Sequence, residues 1–364
     1  MSGKYRIDWL AEKIKALHSF KGSLLSYVNP PEVKSNALRL DKNENFFANA
    51  GFLRNIFSKV LSNTDLRLYD PEAIVNLKES LGEYVGVPRE CIGVSNGSEY
   101  LIDFIIKSFM GKNDEAVCIV PSFFVYDRRI LLNGGKLIKI PLKDDLSLDV
   151  GKVLDNCSDK TKLIFVCSPN NPTGNQFGWN EIEALAEKCP AVVVVDEAYV
   201  EFGDGSICSK AVKKENLIVI RTFSKAFGLA GLRFGFFAAH EDLASALFEV
   251  IPYTVSTVTA RFVIELLGNF TVVQNWIDEV KKEREKLIGE LRAIDGIEVF
   301  DSKTNFVTFK PKMNANRVYR RLLDKGIVIK NLGNLPVVGH CLRVTVGLPY
   351  MNARFLNALK DILA

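Results

Sequence analysis

The residues with the most chemistry in them sit where apolar runs end. In "NLIVIRTFSKAFGLAGLRFG", Lys225 follows a strand-like run and a polar turn that holds Thr222 and Ser224, and a Gly-rich stretch then leads to Arg233. A lysine amine placed there can form an imine with a carbonyl compound and can also carry a proton. In "VVVVDEAYVEF", Asp196 closes the most apolar run and Tyr199 comes three residues later. A carboxylate at the end of a buried strand is costly unless a cation or hydrogen-bond donors meet it, and a protonated ring nitrogen is one such partner. "SPNNPTG" offers Asn171 from a turn, "VSNGSEY" places Gly97 and Ser98 where a helix would begin, and "PSFFVYDRR" presents Phe123 after another apolar run.

Each of these has an ordinary reading: a solvated lysine, a turn, a helix cap, a core aromatic. Together they describe the needs of one cofactor, pyridoxal 5′-phosphate. Lys225 would hold its aldehyde and move a proton at the substrate carbon. Asp196 would keep the pyridine nitrogen protonated, and Tyr199 and Asn171 would hydrogen-bond the ring oxygen. Gly97, Ser98, Thr222 and Arg233 would hold the phosphate, since a helix start presents free N–H groups and an arginine fork suits phosphate oxygens. Phe123 would lie against the ring face.

The elements that must position these groups alternate between strand and helix. Short apolar runs at 116–120, 136–140, 162–167, 191–196, 216–220 and 234–239 predict strands buried on both faces, as in a mostly parallel sheet covered by helices. "SEYLIDFIIKSF" predicts a helix with Ser98 as N-cap and Ile102, Ile105, Ile106 and Phe109 on one face. Beyond His240, a long charged helix in "NWIDEVKKEREKLIGELRAI" and strands at "IEVF", "TNFVTFK", "IVIK" and "LRVTV" predict a smaller α+β unit. The fold class is therefore α/β, with a large cofactor domain over 37–245 and a small domain made of 1–36 and 246–364.

Composition sets the remaining bounds. With 364 residues, 48% hydrophobic, 25% charged and a net charge of +4, the chain reads as a soluble globular protein without a nucleic-acid footprint. Seven cysteines without a CxxC pair and three histidines predict neither a disulfide framework nor a metal site. The charged N-terminus and the lack of a long apolar run predict a cytoplasmic protein without a membrane span.

The order "LRLDKNENFF", "VSNGSEYLIDFI", "PSFFVYD", "CSPNNPTG", "VVDEAYVEF", "RTFSKAFGLAGLRFGF", "TNFVTF" and "LRVTVG" resembles the fold-type I aminotransferases that depend on pyridoxal 5′-phosphate, in particular the histidinol-phosphate aminotransferase family. The resemblance implies transfer of an amino group from L-histidinol phosphate to 2-oxoglutarate, a step of histidine biosynthesis. It implies that Arg343 binds the substrate's acidic end and that Lys330, where the family pattern has arginine, helps grip the phosphate. It also implies a homodimer in which Tyr69 reaches the neighbour's cofactor phosphate and Tyr253 lines the neighbour's substrate pocket. Phe123 stands where the family commonly has tyrosine. A broader aromatic amino-acid aminotransferase and a phosphothreonine decarboxylase share much of this site. A sensor domain fused to a DNA-binding module would need more chain before "LDKNENFF" than the sequence has.

Overall fold

Residues 36–249 and 255–364 are described by the computed structural model. In chain order the strands are β1 (Leu38–Arg39), β2 (Ile92–Ser95), β3 (Glu115–Val120), β4 (Lys136–Pro141), β5 (Thr161–Cys167), β6 (Val192–Asp196), β7 (Leu217–Thr222), β8 (Gly235–Ala239), β9 (Ile297–Val299), β10 (Phe306–Pro311), β11 (Ile327–Val328), β12 (Lys330–Leu335) and β13 (Gly339–Thr345). Seven of them form the central sheet in the order β2-β8-β7-β6-β5-β3-β4. The run from β7 to β4 is parallel, while β8 is antiparallel to both β7 and β2. All six apolar runs of the sequence are strands of this sheet.

The period of two along a strand decides which core each residue enters. On one face Ile164, Val166, Val193, Val195 and Val219 join the larger apolar cluster. On the other, Leu163, Phe165, Val194, Ile218 and Ile220 pack with Leu101, Ile102, Ile105 and Ile106 of the helix Ser98–Phe109. Burial on both faces holds for β5, β6 and β7 but not for β4, where Lys136 and Lys139 are exposed. The expectation of two-sided burial at 136–140 therefore fails, because β4 is an edge strand paired with β3 alone.

Two further expectations need correction. Ser98 is not the cap of its helix; Gly97 is, at φ 94, where the side-chain-free residue turns the strand into the helix and no side-chain cap bond forms. "IVIK" is not one strand: its Ile327 and Val328 pair in parallel with β1, while its Lys330 begins β12 of the four-stranded sheet, which runs β12-β13-β10-β9. β2 was not expected, since "IGVS" is too short and too weakly patterned to stand out.

The stretch from Leu40 to Asn45 ties the two sheets together. Asp41 O accepts from Arg343 Nη2 of β13 at 3.1 Å, Asn305 Nδ2 donates to Asn43 O at 3.0 Å, and Asn45 Nδ2 donates to Ala226 O at 2.8 Å. The turn "SPNNPTG" is held from both sides as well. Asn170 Nδ2 donates to Pro121 O at 2.9 Å, and Thr308 of β10 donates to Pro172 O at 2.5 Å.

Candidate active site

A parallel sheet delivers its functional side chains at the carboxyl ends of its strands. Cys167, Asp196 and Thr222 end β5, β6 and β7, and all three line one cavity of about 290 Å³ together with Asn43, Ser98, Phe123, Asn171, Tyr199, Ser224, Lys225 and Arg233. Sequence reasoning named eight of these groups. It placed Ser224 in the turn with Thr222 without giving it a role, and it missed Asn43 and Cys167.

Asp196 is buried at 3% exposure, and burial pushes its carboxyl above the usual carboxylate range. Tyr126 Oη donates to its Oδ2 at 2.7 Å and the Ala198 N–H donates to its Oδ1 at 3.1 Å. Tyr126 is a functional neighbour that the sequence hid, since in "FFVYDRR" it reads as one more apolar position of the helix Val125–Leu132.

Lys225 Nζ donates to Lys42 O at 2.9 Å and stands 5.9 Å from the centre of the Tyr199 ring. Burial first, and then the Arg343 and Arg233 guanidiniums, press its amine down to about 7 against the partial opposition of Glu44 and Asp196. Near neutrality a large fraction of this lysine is therefore an uncharged nucleophile. Tyr199 Oη accepts from Asn43 Nδ2 at 2.9 Å and from Asn171 Nδ2 at 3.5 Å, and its ring meets Phe306 edge-on at 5.3 Å.

At the other end of the cavity four groups converge. Thr222 Oγ1 donates to Ser224 Oγ at 3.1 Å, and Arg233 Nη1 donates to Ser224 Oγ at 3.4 Å. The helix start at Gly97 lies against the same guanidinium: a Cβ on Gly97 would come within 2.9 Å of Arg233 Nη2. Gly235, the first residue of β8, lets that strand approach the helix start, where a Cβ would come within 2.7 Å of Ser98 N.

These residues fit pyridoxal 5′-phosphate on the chemistry of the donor set. A cradle of hydroxyls, a helix start and a guanidinium suits a phosphate dianion. A buried carboxylate whose proton affinity is raised suits a protonated ring nitrogen, and a weakly basic lysine suits an aldehyde. Phe123, between Phe124 at 5.2 Å and Tyr126 at 5.7 Å, forms an apolar wall. Among the described residues no group of three His, Cys, Asp or Glu side chains could hold a metal ion.

A second cavity, of about 240 Å³, shares Phe123 and Asn171 with the first and is lined also by Ser122, Phe124, Lys330 and Arg343. Lys330 and Arg343 are directly opposed in the β12–β13 register. Arg343 Nη1 donates to Asn171 Oδ1 at 2.5 Å, which links the two cavities. Lys330 is held below the usual lysine range by burial and by the charge of Arg343.

Tyr69 is apart from all of these. It is 82% exposed and lines a surface pocket with Leu66, Leu68 and Val255. Tyr253 lies outside the described residues.

Comparison with known proteins agrees with this geometry. The sequence pattern described as "Aminotransferase class I and II" matches residues 35–359. A histidinol-phosphate aminotransferase of Ruminiclostridium cellulolyticum is 35% identical over 331 residues, covering 89% of this chain and 92% of that protein. Another, from Caldanaerobacter subterraneus subsp. tengcongensis, is 33% identical over 357 residues, 98% of this chain and 99% of the relative. Among solved structures, histidinol-phosphate aminotransferase from Sinorhizobium meliloti in complex with pyridoxal-5′-phosphate superposes with a TM-score of 0.83 at 22% identity, covering 93% of each chain; that likeness is one of fold.

Proposed function

The chain belongs to the class I and II aminotransferases, and on that premise we propose that it moves the amino group of L-histidinol phosphate to 2-oxoglutarate, giving imidazole acetol phosphate and glutamate. The observation that carries the substrate is the opposed pair Lys330 and Arg343, two cations facing one cavity beside Asn171. Like charges directly opposed across a sheet repel. A phosphate dianion between them relieves that repulsion more fully than a single carboxylate does.

Bound in the larger cavity, pyridoxal 5′-phosphate supplies an aldehyde that exchanges between amines and a ring that takes up the electron pair released at the substrate carbon. The chain's own residues do the rest. Gly97, Ser98, Thr222, Ser224 and Arg233 would hold its phosphate and so keep the cofactor in the cavity independently of Lys225. Asp196, held by Tyr126 and the Ala198 N–H, supplies the negative charge opposite the ring nitrogen. Lys225 would take a proton from the amine-bearing carbon at Nζ, a role its pKa of about 7 suits at neutral pH. Phe123 excludes water from the ring face. Arg343 holds the acidic end of either substrate, the phosphate arm of one or the α-carboxylate of the other.

Two structural expectations belong with this reading. We propose a division into a large domain over 37–245 and a small domain of 1–36 and 246–364, bridged by the β1–β11 pair and by the helix Thr257–Leu267, which packs on the helices Ala50–Ser62 and Pro71–Val85. We also propose a homodimer in which Tyr69 reaches the cofactor phosphate of a second copy. The exposed row Leu66, Leu68 and Tyr69 supports it, because large apolar side chains gathered on one surface favour burial against a partner. Six of the seven cysteines are buried free thiols and the seventh is partly buried, which supports the reducing cytoplasm as the compartment. No helix among the described residues is long and apolar enough to cross a membrane.

The test is a single-turnover half-reaction of cofactor-loaded protein against histidinol phosphate, glutamate, phenylalanine, tyrosine and phosphothreonine, read by loss of the cofactor's visible absorbance, with carbon dioxide followed for the last. The proposal expects histidinol phosphate to react with the highest efficiency. A faster reaction with an unphosphorylated aromatic amino acid, or carbon dioxide release from phosphothreonine, overturns it.

A further inference from the structure

We infer that Asn43 is a positioning residue that sets the direction and strength of the hydrogen bond Tyr199 makes into the cofactor cavity. The inference rests on the reading above, in which Tyr199 faces the cofactor's ring oxygen.

A tyrosine hydroxyl has one proton to give and two lone pairs to offer. Two side-chain amides reach Tyr199 Oη, Asn43 Nδ2 at 2.9 Å and Asn171 Nδ2 at 3.5 Å. The orientation of each is dictated by the same strand, β13. Arg343 carries donors only, so its bond to Asn171 Oδ1 at 2.5 Å forces the oxygen of that amide toward the guanidinium and the nitrogen toward Tyr199. Thr345 does the equivalent for Asn43. Its Oγ1 accepts from the Asn43 backbone N–H at 3.0 Å, so its own proton is free to go to Asn43 Oδ1, 3.4 Å away. The Asn43 amide nitrogen is thereby left for Tyr199.

The backbone beneath is pinned as well. Asn305 Nδ2 donates to Asn43 O at 3.0 Å, and Asn43 sits at φ 56, a left-handed conformation that asparagine adopts more readily than most residues. Asn43 is 2% exposed and Tyr199 4%, so both side chains meet inside the protein and away from bulk water. A Tyr199 oxygen that accepts from these amides uses its proton as a donor, and the cavity that both residues line is where the cofactor's ring oxygen would receive it. Donation into a phenol oxygen also polarises its O–H bond and makes it a stronger donor in turn. Asn43, the shorter of the two contacts, carries most of that effect. A stronger donor on an anionic ring oxygen stabilises the anion, and so lowers the pH at which the holoenzyme's chromophore gives up its proton.

The experiment follows the visible spectrum of the reconstituted holoenzyme from pH 5 to 10 in wild type, Asn43→Gly, Tyr199→Phe and the double variant, with bound cofactor quantified in each. Glycine keeps φ 56 and adds no charge. Loss of one net hydrogen-bond contribution predicts that Asn43→Gly raises the midpoint by about 0.4 to 1 pH unit. In the Tyr199→Phe background the same substitution should move it by less than about 0.2 unit, because the effect travels through the phenol. An unmoved midpoint, or an equal shift in both backgrounds, overturns the inference. If Asn43→Gly does not retain cofactor, Thr345→Val takes its place and must raise the midpoint in the same direction; an unchanged midpoint there is equally fatal. A wild-type protein that binds no pyridoxal 5′-phosphate would instead sink the functional reading, while a Tyr199→Phe shift without an Asn43 shift would leave that reading intact and remove only this inference.

Discussion

Lys330→Met removes one cation from the second cavity while keeping much of the side chain's length. In the structure Lys330 lies opposite Arg343 on neighbouring strands, and burial together with the Arg343 charge holds its amine below the usual lysine range. Burial and the neighbouring guanidinium make a charge on that amine costly, and a bound anion offsets the cost. A hydrogen bond to a charged group contributes about 1.5–3 kcal/mol, so losing the contact to phosphate should lower kcat/KM for histidinol phosphate by roughly 10- to 150-fold. Glutamate brings a single negative charge to Arg343 where the phosphate brings nearly two, and its half-reaction should fall by less than about fivefold, in the range of a weakly coupled ion pair. The second pKa of a phosphate monoester is near 6, so at about pH 5.5 the ligand approaches a monoanion and the histidinol-phosphate penalty should shrink. The assay is the stopped-flow half-reaction with each donor at pH 5.5 and 8. If Lys330→Met leaves histidinol phosphate within about twofold of wild type, or lowers both donors equally, then the β12–β13 cation pair is not a phosphate grip and the reasoning from register fails. Lys330→Arg supplies a bidentate fork at the same place and should raise, not lower, the preference for the phosphorylated donor.

Three further outcomes follow from the same geometry. Lys225, pressed down to about 7 when folded, returns to about 10.4 in the unfolded chain, so between those values the unfolded state binds the extra proton and this group makes the cofactor-free fold gain stability as pH rises from 7 to 10. Lys225→Ala should abolish that part of the slope in denaturant titrations and remove the visible absorbance of the loaded protein. Gly97→Ala puts a methyl group 2.9 Å from Arg233 Nη2 at a φ of 94, and loss of one charge-assisted contact should speed cofactor release by roughly tenfold or more, measured by dilution into apo-protein traps. Tyr69→Ala should leave the secondary structure by circular dichroism unchanged but weaken cofactor retention in the proposed dimer; sedimentation at the mass of one chain for wild type would refute the shared site.

What was legible in the sequence was whatever a single strand or turn expresses by itself. Asp196, Thr222 and Lys225 announce themselves because each ends or follows an apolar run, and a parallel sheet must present such positions at one edge. Six of the sheet's seven strands were legible for the same reason, β2 being too short and weakly patterned to stand out; at β4 it was the two-sided burial that failed, because two lysines on an edge look the same as two lysines in a short buried run until the partner strand is known. Tyr126 and Asn43 were illegible for opposite reasons. Tyr126 is disguised by its helix, where an aromatic beside apolar residues reads as core, and its hydroxyl has a purpose only because Asp196, far away in sequence, lies 2.7 Å from it. Asn43 sits in "DKNEN", a polar cluster that reads as a loop; the one local hint is that asparagine tolerates the left-handed backbone seen there at φ 56.

The register of β13 explains why the small sheet is more than a cover for the cavity. Alternation along the strand puts Arg343 and Thr345 on one face, and both reach the stretch from Asp41 to Asn43 as well as the asparagines around Tyr199. A one-residue slip would send both side chains to the opposite face and release Asn43 and Asn171 together. Arg343 is also the group assigned to the substrate's acidic end, so an anion that draws its guanidinium away from Asn171 Oδ1 loosens one of the two amides on Tyr199 and leaves the other, Asn43, held by Thr345. On this geometry the hydrogen bond from Asn43 is the constant partner of Tyr199 and that from Asn171 the variable one. Substrate charge should therefore be felt at the ring oxygen as a partial change and not as a complete loss.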